Sequence, residues 1–306
     1  MSDKTYRFSE IFYSFQGEAE LAGKPTVWIR FFGCNLECNG FGQKDPTNPA
    51  TYVLPYKEFD PSSVKKLEDL PVWEHGCDSS YSWSAKYKHL VHDATVAEIC
   101  DQLIEHLKHP SNPLGEFIHH TTNQDTQLAF TGGEPMMDQK AMIEIVRELK
   151  RRGNCPRTIT VETNTTKPVS AELKTFIEDE YCAEWGHRWH WAMSPKLFTV
   201  AGEENAVNKD LIFDYMQIAG CSGIIKFVIN GEPNCWDELA AHQYNIYEQF
   251  KANGQYPPEM WVMPVGATKD SQETDRTAAI AMEAMKRGFN IATRNHCYVF
   301  GNVIGK

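Results

Sequence analysis

Short apolar segments separated by longer amphipathic ones constrain the fold of this chain more than any other feature. The apolar segments are rich in β-branched and aromatic residues, which predicts strands at 26–32, 127–131, 158–162, 190–193, 224–229, 260–264 and 291–300. Helical periodicity predicts helices at 95–108, 138–152, 235–251 and 272–287. The alternation predicts an α/β fold with a parallel sheet. About six strand–helix units predict an incomplete, TIM-like barrel with outer helices and with its chemistry at the carboxyl ends of the strands.

The segment 138–152 shows how local signals define one of these helices. Asp138 is predicted to be the N-cap, because its side chain can accept hydrogen bonds from amides of the first turn. Met142, Ile145 and Leu149 repeat at helical spacing and form one apolar face. Gly153 adopts a left-handed backbone at little cost, so the helix is predicted to end there.

Residues 40–76 interrupt the alternation. This segment holds five of the 16 prolines and many polar residues, and it shows no sustained hydrophobic period. A loop of this length inside a compact domain is uncommon and is usually either functional or disordered. We therefore predict one domain over residues 1–306, with 40–76 as an insertion.

Composition and charge exclude several classes of function. Hydrophobic residues make up 42% of the chain, and no run of eighteen apolar residues occurs, so we expect no membrane span. The first ten residues are charged and lack the apolar stretch of a signal peptide, so we expect a cytoplasmic protein whose nine cysteines are reduced. A net charge of -11 repels phosphate backbones, so we expect no direct nucleic-acid partner.

Three of the cysteines lie at the two ends of the insertion. Cys34 and Cys38 follow the first predicted strand, and Cys77 follows residue 76. If the insertion loops out, the three thiolates meet at one strand end. Three cysteines can hold a [4Fe–4S] cluster while one iron keeps no protein ligand. Spacing alone leaves two alternatives open, a structural zinc site and thiols packed as small buried hydrophobic groups.

Seven short segments occur in an order that is typical of one enzyme family. They are SFQGE at 14–18, WIRFFGCNL at 28–36, FTGGEP at 130–135, VETN at 161–164, MSPK at 193–196, IKFV at 225–228, and His296 followed by FGN at 300–302. Together they resemble the 7-carboxy-7-deazaguanine synthases, a family of radical S-adenosylmethionine enzymes. The resemblance runs from about residue 8 to residue 301, with the insertion as its one large gap.

The spacing of the cysteines departs from the family pattern. The family has C-x3-C-x2-C with an aromatic residue between the last two cysteines, whereas 38 residues separate Cys38 from Cys77 here. The sequence Cys77-Asp78-Ser79 is similar to the Cys-Asp-Thr of the family, which implies that Cys77 is the third cluster ligand.

The resemblance implies a [4Fe–4S] cluster and S-adenosylmethionine as cofactors. The amine and carboxylate of S-adenosylmethionine would chelate the open iron, and the protein would orient the radical chemistry. The implied cofactor contacts are Gly132, Gly133, Glu134, Thr163, Asn164, Ser194 and Lys196. Ordinary strand-to-helix turns are the alternative for these residues. Gly76 stands where the family has an aromatic residue over the adenine, and Phe41 and Trp73 are two candidates to replace it.

The resemblance also implies residues for a pterin substrate and for Mg2+. The implied substrate contacts, an amide and a carboxylate for the pyrimidine edge and cations for the substrate carboxylate, are Gln16, Glu18, Arg30, Lys226 and His296. A solvated loop charge, a barrel ion pair and a core histidine are the structural alternatives for Glu18, Lys226 and His296. Ser79 matches the family threonine that binds Mg2+, and local N-capping is its alternative.

The activity implied by the resemblance is a carbon–nitrogen lyase reaction. The family converts 6-carboxy-5,6,7,8-tetrahydropterin to 7-carboxy-7-deazaguanine with loss of ammonia, in 7-deazapurine biosynthesis of the queuosine type. A homodimer and an external reductase such as flavodoxin are also implied. One alternative is a glycyl-radical activating enzyme of the same superfamily, which has no need of Gln16, Glu18 and Arg30. The other is a zinc-stabilised binding protein that uses the three cysteines.

The first prediction concerns the cluster ligands. Replacing Cys34, Cys38 or Cys77 singly with Ala is expected to abolish cluster retention, because all three thiolates are needed to hold it. Replacement of the six other cysteines is expected to leave the iron content unchanged. The measurement is iron per protein after anaerobic reconstitution, and a Cys77→Ala protein that retains its cluster would place the third ligand elsewhere.

Overall fold

A mostly parallel β-sheet organises residues 4–301 and 303–305, which are the residues that the computed structural model describes. Its strands are β1 Thr5–Phe15, β2 Pro25–Phe31, β3 His92–Thr95, β4 Gln127–Gly132, β5 Thr158–Thr163, β6 Arg188–Met193, β7 Cys221–Ile229, β8 Met260–Pro264 and β9 Asn290–Ile291. The strand order is β3-β1-β2-β4-β5-β6-β7-β8-β9. The pairs from β2 to β9 are parallel, whereas β1 is antiparallel to both β2 and β3. The sheet does not close, which confirms the predicted incomplete barrel.

Helices connect most of the parallel strands. The α-helices are α1 Pro55–Glu58, α2 Val96–Leu107, α3 Gln139–Arg151, α4 Ala171–Thr175, α5 Phe198–Ala201, α6 Lys209–Met216, α7 Pro233–Ala252, α8 Lys269–Gln272, α9 Asp275–Lys286 and α10 Asn295–Phe300. A π-helix, Phe176–Glu184, continues α4, and short 3-10 helices form at Ala19–Leu21, Pro49–Thr51, Pro61–Ser63, Leu67–Asp69, Ser80–Ser82, Ala85–Leu90 and Pro135–Met137. The four predicted helices correspond to α2, α3, α7 and α9.

The ends of α3 test the capping signals of the sequence. Asp138 is the N-cap residue, as predicted, although its side chain makes no capping hydrogen bond. Gly153 follows the helix with a φ of 72°, a left-handed conformation, as predicted. Helix α2 instead begins with a complete capping box, in which Thr95 and Glu98 bond each other's backbone amides.

The core explains why the central strands are almost continuously apolar. Leu128, Ala129 and Phe130 of β4 are successive residues and are all fully buried. A strand of a parallel sheet is covered on both faces, so adjacent side chains point into apolar surroundings on either side. The parallel register places the carboxyl ends of β2 and β4 side by side, with Phe31 opposite Gly132. Loops that leave the parallel strands therefore start at one common edge.

Three strand assignments from the sequence need correction. The segment 291–300 is not a strand, since only β9 is extended and α10 follows it. Its aromatic and β-branched residues belong to a short helix on which Val299 is exposed and only Cys297 is buried. Strands β1 and β3 were not predicted. Charged residues such as Arg7 and Glu10 interrupt the apolar pattern of β1, and β3 is a polar edge strand.

The insertion, residues 40–76, is a small lobe rather than an extended loop. Its ends meet, because the Gly76 N–H donates to the Phe41 carbonyl at 2.8 Å. Tyr56, Val64, Leu67 and Leu70 pack with side chains that follow Cys77, forming a hydrophobic cluster separate from the main core. The partners beyond the insertion are Tyr81, Tyr87 and Leu90.

Among the described residues, none forms a helix with the length and apolar character needed to cross a bilayer.

The packing of the insertion lobe predicts a local effect of Leu67→Ala. Leu67 is 9% exposed, and its truncation leaves a cavity that is expected to cost about 2 kcal/mol. Amides of residues 80–90, including the Tyr87 N–H that donates to the Ser84 carbonyl at 3.0 Å, should then exchange about thirtyfold faster in deuterium-exchange measurements. Val53→Ala is the control because Val53 is 57% exposed. Equal exchange rates in the Leu67→Ala and Val53→Ala proteins would show that packing of the insertion lobe does not stabilise residues 80–90.

Candidate active site

A cavity of about 300 Å³ lies at the carboxyl ends of the parallel strands. It brings together residues that are far apart in the sequence, from the segment after β1 to helix α10. All but one of the side chains or glycines implied by the resemblance line it: Gln16, Glu18, Arg30, Cys34, Cys38, Cys77, Ser79, Gly132, Gly133, Thr163, Asn164, Ser194, Lys196, Lys226 and His296. The exception is Glu134, which is buried beneath the residues that line the cavity. Phe41 and Trp73 both line the cavity, so both remain candidates to cover an adenine.

The three cysteines that flank the insertion all line this cavity. In the described part of the chain, no other cysteine does. Burial raises the pKa of all three thiols, that of Cys77 to about 12, so metal binding must displace their protons. Residues 4–301 and 303–305 contain no group of three His, Cys, Asp or Glu side chains placed to hold a metal ion. The three thiols are therefore not arranged around a single metal ion, and a [4Fe–4S] cluster, in which each thiolate would bind a different iron, stays the prediction for them.

Two glycines allow the end of β4 to approach the loop that carries Cys34. Gly132 has a φ of 145°, and a Cβ there would lie 2.4 Å from the Phe31 carbonyl oxygen. A Cβ on Gly133 would lie 2.1 Å from the Gly33 carbonyl oxygen and 2.7 Å from the Cβ of Cys34. No side chain fits in either place. These glycines therefore fix the position of the cysteine loop, and their contact with a cofactor amine stays a prediction.

Glu134 joins the ends of β4 and β5. Its Oε1 accepts hydrogen bonds from the Thr163 hydroxyl at 2.7 Å and the Met136 N–H at 3.0 Å, and its Oε2 accepts from the Asn164 N–H at 2.7 Å. Burial raises the pKa of this carboxyl group, and the three donors oppose the rise. Glu134 is 1% exposed, and its hydrogen bonds connect Thr163 and Asn164, which line the cavity, to the end of β4. Its role as a cofactor contact stays a prediction.

A buried ion network occupies one side of the cavity. Lys226 is 4% exposed and contacts Glu18 and, at 3.3 Å, Glu162. Gln16 donates from Nε2 to the other oxygen of Glu162 at 2.9 Å, and Arg294 approaches Glu18 at 3.5 Å. Burial alone would raise the pKa of Glu18, but the charges of Lys226 and Arg294 outweigh it and lower that pKa to about 2. Burial alone would lower the pKa of Lys226, but the two carboxylates raise it. Both ends of the pair are thus charged at neutral pH.

Arg294 extends this network to the loop after Cys77. Its Nη1 lies 2.7 Å from Oδ2 of Asp78, and the Ser79 hydroxyl donates to Oδ1 of the same carboxylate at 3.0 Å. Burial alone would raise the pKa of Asp78, but Arg294 and the Ser79 hydrogen bond hold it well below its usual range. Ser79 precedes the 3-10 helix Ser80–Ser82 but makes no side-chain capping bond, so the capping alternative for Ser79 is wrong. Its hydroxyl oxygen retains lone pairs that can face a cation.

Arg30 and His296 both line the cavity, and different contacts hold the two side chains in place. Arg30 is tied by its Nε to Glu10 at 2.7 Å, and Glu10 also accepts from the Tyr81 hydroxyl at 3.0 Å. His296 packs so closely on Gly17 that a Cβ there would lie 2.0 Å from the imidazole Nδ1. Burial lowers the pKa of His296, although Glu18 opposes the shift, so the ring is neutral at pH 7.

Sequence reasoning missed two residues that this geometry makes important. Glu162 was part of the VETN motif but was not assigned a role, although it contacts both Gln16 and Lys226. Arg294 lies two residues before His296, and the segment containing it was predicted to be a strand. An arginine beside a histidine in an otherwise apolar segment was the one available signal.

Comparisons with known proteins agree with the resemblance drawn from the motifs. A family model described as a 4Fe-4S single cluster domain matches residues 74–179, which include Cys77. A 7-carboxy-7-deazaguanine synthase from Halobacterium salinarum is 28% identical over 159 residues, covering 52% of this chain and 38% of that protein. The protein of the same name from Methanopyrus kandleri is 24% identical over 181 residues, covering 57% of this chain and 54% of that protein. The matched part of the chain thus spans about half, or less, of the length of these relatives.

A solved structure resembles the whole fold. The crystal structure of QueE from Escherichia coli aligns with a TM-score of 0.51 at 16% identity and covers 95% of each chain. At this identity the likeness concerns the fold, and it agrees with the open, mostly parallel sheet. The resemblance to 7-carboxy-7-deazaguanine synthases is confirmed by the names that recur among the relatives.

The buried ion network predicts a pH-dependent effect of Lys226→Met. Removing the ammonium leaves Glu18 and Glu162 buried without their main counter-charge, which is expected to cost about 3–5 kcal/mol at pH 8. In the parent, the lowered pKa of Glu18 contributes stability that is present above its unfolded pKa of about 4.3 and is lost as the pH falls towards 2. In the variant that pKa rises, so the deficit should shrink as the pH falls from 8 to 4.5.

Thermal unfolding of both proteins at the two pH values measures this deficit. Lys108→Met is the control, since Lys108 forms only an exposed pair with Glu105. A deficit that is the same at pH 8 and pH 4.5 would contradict the assignment of unpaired carboxylates.

Proposed function

We propose that this chain is a radical S-adenosylmethionine lyase that converts 6-carboxy-5,6,7,8-tetrahydropterin to 7-carboxy-7-deazaguanine with loss of ammonia. One observation carries the proposal. Residues matched separately to cluster, cofactor, substrate and Mg2+ on sequence motifs line the same cavity, although they come from segments between Gln16 and His296. The recurring name of the relatives supports the same activity.

Cys34, Cys38 and Cys77 would hold the [4Fe–4S] cluster, and the open iron would take S-adenosylmethionine. When bound, this pair supplies the one-electron chemistry that removes a hydrogen atom from the substrate. Gly132 and Gly133 line the cavity and pack against the backbone around Cys34, so the cofactor amine would meet their main chain beside the first cysteine. Further contacts would come from Thr163, Asn164, Ser194 and Lys196, of which Lys196 donates to the Ser194 hydroxyl at 3.0 Å.

The ion network would bind the pterin substrate. Glu18 and Glu162 offer carboxylate acceptors to the N–H groups of a pyrimidine edge, and the Gln16 amide can both donate and accept. Lys226 and Arg30 remain cationic and suit the substrate carboxylate. The neutral His296 adds a ring that can donate from one nitrogen and accept at the other.

Ser79 would contribute the protein ligand of a Mg2+ ion that bridges to the substrate carboxylate. The hydrogen bond from Ser79 to Asp78 orients the hydroxyl, and Arg294 fixes Asp78 in turn. A hydroxyl is a hard oxygen donor, and Mg2+ keeps several waters beside few protein ligands. Neutral oxygen binds this ion weakly, so the ion should be held mainly when substrate is present.

The proposal places the enzyme in the cytoplasm as a homodimer supplied with electrons by an external reductase such as flavodoxin, in 7-deazapurine biosynthesis of the queuosine type. The alternative of a glycyl-radical activating enzyme is disfavoured by the buried Gln16–Glu162–Lys226 set, which suits a small polar substrate better than a protein backbone. A zinc-stabilised binding protein needs no such set at all.

Anaerobic turnover tests the proposal. The reconstituted protein, the pterin, S-adenosylmethionine and dithionite are combined with and without Mg2+, and the product is identified by mass spectrometry. We expect 7-carboxy-7-deazaguanine, with faster turnover in the presence of Mg2+. Ser79→Ala should lose most of the Mg2+ response, whereas Ser79→Thr should keep it, because threonine retains the oxygen and restricts its rotamer.

Two outcomes would contradict parts of the proposed function. An iron–sulfur protein that cleaves S-adenosylmethionine but leaves the pterin unchanged would refute the proposed substrate. A Ser79→Ala protein that responds to Mg2+ as the parent does would place the ion elsewhere.

A further inference from the structure

One carboxylate without a role in the proposed reaction, that of Glu203, is hydrogen-bonded directly to the loop that carries Cys34 and Cys38. Oε1 of Glu203 accepts hydrogen bonds from the backbone N–H groups of Glu37, at 2.8 Å, and Cys38, at 2.5 Å. Glu203 is distant in sequence, just after helix α5, and it matches none of the motifs on which the resemblance rests.

Cys38, one of the two residues that donate to Glu203, has an unusual backbone conformation. Cys38 has a φ of 51°, a left-handed conformation that is sterically unfavourable for a residue with a Cβ. Cys38 is also 6% exposed, so its N–H needs a partner inside the protein. Glu203 supplies that partner and thereby offsets the strain that orients the second cysteine.

The segment that carries Glu203 is itself anchored on both sides. The Gly40 N–H donates to the Ala201 carbonyl at 2.9 Å, and a Cβ on Gly40 would lie 2.5 Å from the Ala201 carbonyl carbon. On the far side, Glu238 of α7 accepts from the N–H groups of Phe198 and Thr199 at the start of α5, at 2.8 and 2.9 Å. These contacts anchor helix α5, and with it the backbone that leads to Glu203, beside the cysteine loop.

We propose that Glu203 is a positioning residue for the iron–sulfur cluster, which both fixes Cys38 for ligation and lowers the reduction potential of the cluster. The inference rests on the proposed function only in assuming that Cys34, Cys38 and Cys77 hold a cluster. It adds a residue and a property that neither the motifs nor the reaction requires.

The two effects have separate physical causes. Fixing Cys38 depends on the oxygen that accepts the two N–H bonds, which an amide can provide as well as a carboxylate. The potential depends on charge, because a negative charge beside a cluster opposes the gain of an electron. Glu203 also engages the Cys38 N–H, which then does not donate to a cluster sulfur, and fewer such hydrogen bonds likewise lower the potential.

Two substitutions separate these effects in the full-length reconstituted protein. Glu203→Ala removes the acceptor, so iron should be lost to a chelator about 10–100-fold faster than from the parent, the usual range for outer residues of a metal site. Glu203→Gln keeps an acceptor of the same shape without the charge. It should retain iron within about twofold of the parent, but its cluster should be reduced at a more positive potential in a titration followed by electron paramagnetic resonance.

Glu204→Gln is the matched control. Glu204 is exposed, makes no hydrogen bond within the described part of the chain, and carries the same charge one residue further on. Its substitution should change neither iron loss nor potential. A Glu203→Gln potential equal to those of the parent and of Glu204→Gln would overturn the electrostatic part, and a Glu203→Ala protein that retains iron like the parent would overturn the positioning part. A parent protein that forms no cluster would instead refute the proposed function.

Discussion

The close approach of two backbones at the ends of β2 and β4 is the constraint on which the site depends. Gly133 has no space for a side chain because the Gly33 carbonyl and Cys34 lie against it. This contact exists because β2 and β4 are parallel neighbours whose carboxyl ends are in register. The sheet therefore determines where the first cysteine loop can lie, and the other loops of the cavity are arranged around that position.

Arg294 connects the charged elements of the cavity. It lies between Glu18, in the segment after β1, and Asp78, in the loop after Cys77. Burying an arginine is costly unless carboxylates compensate it, so the two loops are held at a fixed distance by the need to satisfy one guanidinium group. The proposed substrate side and the proposed Mg2+ side are thereby positioned relative to each other, although they belong to distant parts of the sequence.

Features that produce a local pattern in the sequence could be predicted, whereas features that depend on tertiary contacts could not. The parallel strands could be predicted because burial on both faces requires continuous apolar runs, such as residues 128–130. Strand β1 escaped detection because Arg7 and Glu10 interrupt its pattern, and Glu10 proves to be the partner of Arg30. The cavity residues were found through ordered motifs. Arg294 and Glu203 were not, because their roles depend on tertiary contacts that leave no local pattern.

The proposed reaction requires that Cys34, Cys38 and Cys77, which line one cavity across the insertion lobe, hold one cluster with an iron open to S-adenosylmethionine. Electron paramagnetic resonance of the anaerobically reduced protein, recorded with and without S-adenosylmethionine, tests it most directly. We expect the signal of a single reduced [4Fe–4S] cluster, whose g-values change when S-adenosylmethionine is added. A cluster signal that is indifferent to S-adenosylmethionine, or no cluster signal after reconstitution, would contradict it.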